Sequence, residues 1–142
     1  MFFEEFVIGS KIQIAPATIS KTDMIDFARK YDNIPLHTDE EYAKTTIFGQ
    51  LIAPGVMSFM SIWAKYLEND LVGDELLAGK SSKIECLKPV FAEDILKSTC
   101  TVSNLTKRNN KNGIVELTFE VFNQNDELVL TNVTEMIVKC RP

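Results

Sequence analysis

The segment that constrains the fold most is a helix without a polar face. Between Pro54 and Glu68 the sequence places Val56, Met57, Phe59, Met60, Ile62, Trp63, Ala64, Tyr66 and Leu67 on every side of a helical wheel. A helix apolar all round must be enclosed by other structure. Pro54 or Gly55 starts it, and proline suits a first helical position because an N–H there has no helical partner. The wider apolar window, Ile47 to Leu67, is broken by Pro54-Gly55 and carries Gln50, Ser58, Ser61 and Lys65. A bilayer-spanning helix wants about 20 predominantly apolar residues. The window therefore reads as a loop leading into a buried core helix, and no membrane partner is expected.

The material to enclose that helix follows it. Strand candidates run over residues 77–91, 94–107, 113–123 and 127–140, after a first strand over Lys11–Ile19. Val115, Leu117, Phe119 and Val121 alternate with Glu116, Thr118 and Glu120, the pattern of a half-buried strand. Asn112-Gly113 predicts a tight type I′ hairpin turn, and Asn123–Glu127 predicts the next one. Helices gather before residue 69 and strands after 77, which argues for α+β over alternating βαβ units. Long antiparallel strands around one buried helix are the hot-dog arrangement. With 142 residues and no linker or repeat, residues 1–142 are expected to form one domain.

Composition removes several functional classes. Fifteen Lys+Arg against 20 Asp+Glu give a net charge of −5, so no global field favours nucleic acid. Cys86, Cys100 and Cys140 are odd in number and lack CxxC spacing, which excludes a disulfide framework or zinc site and suits free thiols in a reducing cytosol. Met1-Phe2-Phe3-Glu4-Glu5 lacks the basic and apolar regions of a signal peptide, so a cytoplasmic location is expected.

Between the first strand and the core helix lies the chemistry. Ser20 or Thr22 caps a helix running to about Tyr31, with Met24, Phe27, Ala28 and Tyr31 on one face. Pro35 then ends helical continuation and pushes Ile34 toward extended geometry. Thr38-Asp39-Glu40-Glu41 reads as a capping box that starts a short helix over Asp39–Lys44. His37 is the single histidine of the chain. A lone histidine is more often structural than functional. Here, however, Asp32 lies five residues upstream, Pro35 stiffens the loop between them, and His37 enters a helix start. A carboxylate and an imidazole on one rigid loop form a general acid/base pair able to hold one water. Gly55 heads the core helix, where free N–H groups favour a developing negative charge. The same glycine fits a tight loop-to-helix turn equally well.

The run Tyr31-Asp32-Asn33-Ile34-Pro35-Leu36-His37-Thr38-Asp39-Glu40-Glu41-Tyr42-Ala43-Lys44, then Phe48-Gly49, then Leu51-Ile52-Ala53-Pro54-Gly55, closely resembles the MaoC-like family of (R)-specific enoyl-CoA hydratases and dehydratases. Lys88-Pro89-Val90-Phe91-Ala92-Glu93-Asp94 resembles that family's Lys-Pro-Val…Gly-Asp strand turn. The resemblance implies a hot-dog fold, a homodimer or higher even oligomer, and a fatty acyl group carried as a thioester. It assigns catalysis to Asp32 and His37, and to the Gly55 N–H a hydrogen bond to the thioester oxygen. Three positions depart from it. Ile34 stands where the family usually has asparagine, Pro54 where it often has histidine, and Glu93 where it has glycine. None removes a group the chemistry needs.

Other residues have simpler readings. Asp39 suits a helix N-terminus, Ser58 and Ser61 suit core packing with a bond back to the helix, and Trp63 suits the core. Lys107-Arg108-Asn109-Asn110-Lys111 suits a solvated hairpin tip better than a CoA phosphate site. The expected function is reversible hydration of a trans-2-enoyl thioester, on CoA or acyl carrier protein, to the (R)-3-hydroxyacyl thioester, with no metal or redox cofactor. A hot-dog thioesterase and a non-catalytic acyl-binding protein are the rivals from other classes.

Overall fold

Five antiparallel strands pair in the order β1-β3-β4-β5-β2. They are β1 (Lys11–Thr18), β2 (Leu76–Cys86), β3 (Ile95–Lys107), β4 (Asn112–Phe122) and β5 (Leu128–Lys139). The computed structural model describes residues 1–69 and 71–142. Four helices precede β2: α1 (Lys21–Tyr31), α2 (Pro35–Thr38), α3 (Glu40–Ala43) and α4 (Gly55–Leu67). The sheet curls around α4, the α+β hot-dog arrangement that the sequence predicts. No helix among the described residues is long and apolar enough to cross a membrane.

Strand register fixes what faces α4. Across the sheet, Ile14, Ser98, Val121, Leu130 and Cys86 form one rung. The next holds Ile12, Cys100, Phe119, Asn132 and Ile84, and the one after it Val102, Leu117, Thr134 and Ser82. Met57, Ser58, Phe59, Ile62 and Tyr66 of α4 are buried. Its other face is not enclosed: Val56, Met60 and Leu67 are 55%, 48% and 42% exposed. The expectation of full enclosure therefore fails within one chain, because β2 is the sheet's edge and no strand among the described residues lies beyond it.

Three local expectations are corrected. Asn112-Gly113 is not the centre of its turn: both residues already pair in β4, neither has positive φ, and the turn spans residues 108–111. Asn109 builds that turn by accepting from the N–H groups of Lys111 and Asn112. Glycine is needed at 113 because the Phe3 ring occupies the space of a side chain there. The second strand ends at Cys86 rather than 91, since Leu87 and Lys88 both donate to the Val129 carbonyl and Pro89 has no N–H for a ladder. Phe91 pairs instead with Ile52. Finally, the cap of α3 is Asp39, which accepts from Tyr42 N–H, while Thr38 Oγ1 donates back to the Ile34 carbonyl and ends α2. The turn at Asn123–Glu127 forms as expected, with Asn123 Oδ1 accepting from Asn125 and Glu127.

Candidate active site

Ser20 caps α1 by accepting from Asp23 N–H, and the helix runs until Asp32, whose N–H still donates to Ala28. Asp32 leaves helical geometry at φ −153°, ψ 61°. Ile34 is extended, as a residue before proline must be, and Pro35 begins the single turn of α2. That sharp exit and re-entry turns two side chains toward each other. His37 Nε2 lies 3.3 Å from Asp32 Oδ2. The imidazole is buried, 7% exposed, whereas the carboxylate is 47% exposed.

The other ring nitrogen defines the tautomer. His37 Nδ1 is 2.6 Å from the Ile52 carbonyl oxygen. A carbonyl only accepts, so Nδ1 carries a proton, and when the ring is neutral its lone pair is at Nε2. The Ile52 carbonyl is itself held by the Ile52–Phe91 bridge and by the neighbouring Ala53 N–H, which donates to Val90 at 2.7 Å. In that neutral form Nε2 and Oδ2 are two acceptors facing each other. A water can donate one hydrogen to each, keeping its oxygen lone pairs free.

His37 lines a cavity of about 280 Å³ with Gly55, Ser58, Cys86, Lys88 and Leu130. Asp32 stands outside this lining and meets the cavity through the histidine ring. Gly55 is the first residue of α4, with Pro54 at the cap. A Cβ at Gly55 would collide with Cys86 Sγ. The glycine lets the end of β2 close over the helix start, and the thiol becomes part of the cavity wall.

The remaining candidates fall elsewhere. Asp39 is a helix cap. Ser58 and Ser61 donate to the Pro54 and Met57 carbonyls, and Ser58 also faces the cavity. Trp63 stacks on Tyr66. The basic turn at 107–111 neighbours Cys140 beyond the end of β5, whereas the cavity sits at the start of β5. Lys88, at the cavity, is ion-paired to Glu127 at 2.7 Å. Burial pushes the Cys100 thiol up to about 12, the inert state of a core cysteine. Sequence reasoning missed the Ile52 carbonyl, Cys86 and Leu130. Ile52 was visible in the motif beside Ala53, but the other two enter only through strand register. Glu93 has φ +68°, the left-handed region, which explains why glycine suits that turn.

The chain matches the model of the MaoC like domain over residues 5–124. It is 35% identical over 106 residues to an (R)-specific enoyl-CoA hydratase from Rhodospirillum rubrum, covering 73% of this chain and 71% of that protein. Among solved structures, a protein from Archaeoglobus described as a monoamine oxidase regulatory protein superposes with TM-score 0.93 at 34% identity, covering 100% of this chain and 96% of that one. An (R)-hydratase from Pseudomonas aeruginosa superposes with TM-score 0.79 at 27% identity, covering 99% and 86%.

Proposed function

The chain belongs to the MaoC-like family of hydratases and dehydratases, and from that premise we propose that it reversibly hydrates a trans-2-enoyl thioester to the (R)-3-hydroxyacyl thioester. The observation that carries this reading is the approach of Asp32 Oδ2 and His37 Nε2 to 3.3 Å. Water held by both hydrogens offers its oxygen to the β-carbon of the enoyl group. As the C–O bond forms, one of the pair takes a proton from the water. The former double-bond electrons move onto the α-carbon and the thioester oxygen. The α-carbon then takes a proton from the same pair, so H and OH are added and nothing is left over. Charge on the thioester oxygen is met by the Gly55 N–H at the start of α4. The step uses water and this chain's own groups, without a metal or redox cofactor.

The (R) configuration and the thioester substrate are supported by the relatives, two of which are described as (R)-hydratases. An absorbance assay with crotonyl-CoA and longer enoyl-CoAs tests the reading, since hydration removes the conjugated enoyl signal. Loss of that signal without release of free thiol is the expected result. Thiol release would assign a thioesterase instead, and binding without either change would leave a non-catalytic acyl-binding protein.

The same proposal includes a homodimer. Val56, Met60 and Leu67 on α4 lie uncovered, as does Leu77 on the edge strand β2. An open strand edge beside an apolar face invites a second copy. Light scattering at micromolar concentration should give twice the 16.0 kDa chain mass, or a higher even multiple. A monomer would overturn the assembly. Met60→Lys should weaken it while leaving the buried face of α4 intact.

A further inference from the structure

Resting on the hydration reading above, we propose that the acyl group accepted by this site is short, ending at the first rung of the sheet beyond the thioester. The cavity opens between the start of α4 and the β2–β5 end of the first rung, Cys86 and Leu130. Gly55 and Ser58 face it from the helix. A longer tail would have to continue along α4 beneath the next rung. On the β4 side that path is filled. Phe59 of α4 meets Phe119 of the second rung edge-on, with ring centroids 5.4 Å apart, and Trp63 and Tyr66 pack on the same Phe119 at 6.2 and 5.7 Å.

Beside Phe119 on the second rung, Asn132 is held by its neighbours. Asn132 is 1% exposed, and its amide donates to Ser82 Oγ at 2.8 Å while its carbonyl accepts from Thr134 Oγ1 at 2.6 Å. Ser82 and Thr134 are themselves 3.1 Å apart. An alkyl chain pushed past Leu130 would separate groups that satisfy one another, and a buried polar group left without a partner is strongly unfavourable. The cavity's 280 Å³ falls just below the usual range of small-molecule pockets, roughly 300–1,000 Å³, and it must hold the thioester end as well as the tail.

Pantetheine thioesters carry the part common to CoA and carrier-protein substrates, so they read the pocket without choosing between the two. Wild-type turnover should be highest on the four-carbon enoyl thioester and lower by roughly tenfold or more on the eight-carbon one. Phe59→Ala should narrow that ratio. Phe59→Leu gives the same test with a smaller loss of core volume. Binding supplies an arm independent of chemistry, using saturated butyryl- and octanoyl-pantetheine with Asp32→Asn protein. An open pocket would bind the longer tail more tightly, roughly fourfold for each added methylene buried, whereas a closed one binds the shorter tail at least as well.

Equal turnover of both enoyl lengths, or tighter octanoyl binding, overturns the short-chain assignment and leaves hydration standing. Preferential butyryl binding with no hydration of any length overturns hydration and supports the closed pocket. Failure to bind either thioester overturns both.

Discussion

Asp32→Asn should lower hydratase turnover by roughly 10²–10⁴ while leaving the protein folded. The carboxylate is 47% exposed and, among the described residues, its side-chain partner is His37, so little packing is lost. The substitution acts on hydrogen-bond polarity. An asparagine amide can donate to Nε2 across the same gap, which satisfies the ring and leaves no acceptor pair for water. His37→Ala should reduce turnover over the same range, but it also strips the Ile52 carbonyl of the ring N–H that lies 2.6 Å away. Leaving that acceptor unpaired should destabilise the fold by about 1–3 kcal/mol. The melting temperature should therefore drop for His37→Ala and hold for Asp32→Asn, with turnover per folded protein falling in both. Near-normal turnover in either variant would remove that residue from the proposed chemistry.

The two variants differ because the sequence exposes one kind of information and hides another. The order Asp32-x-x-Pro35-x-His37 already says that helix α1 must stop and restart, so the pair's proximity is legible. The core helix was legible from its missing polar face, and the strands from their alternation. What the sequence does not carry is the partner across the sheet. The tautomer of His37 rests on a carbonyl 15 residues away, held in place by a bridge to Phe91. Cys86 reaches the cavity only because β2 pairs with β5 in the register that sets it opposite Leu130. The misread turn at Asn112-Gly113 has the same origin: that glycine answers to the Phe3 ring, far away in sequence, and not to its own turn. The uncovered side of α4 follows suit, because an all-apolar helix demands burial without saying whether its own chain supplies it.

Gly55 can be tested in a way that separates its backbone from its missing side chain. Gly55→Ala alone should destabilise the protein, since the new Cβ collides with Cys86 Sγ. Removing the sulfur as well, in Gly55→Ala/Cys86→Ala, fills the sulfur's space with the methyl and should restore both melting temperature and turnover to those of Cys86→Ala. In the same background, Gly55→Pro keeps a comparable ring carbon there but deletes the N–H. Proline is tolerated at a first helical position, and Pro54 already has the extended ψ of 133° that a following proline requires. The fold should therefore persist. Turnover per folded protein should fall by about 10²–10³, the effect of removing one transition-state donor, or about 2.7–4 kcal/mol. The Ala and Pro double variants share the loss of glycine and differ at the donor, so the ratio of their rates reads the N–H directly. If the two turn over equally, Gly55 serves only the close approach of β2 to α4, and the charge on the thioester oxygen must be met by another group.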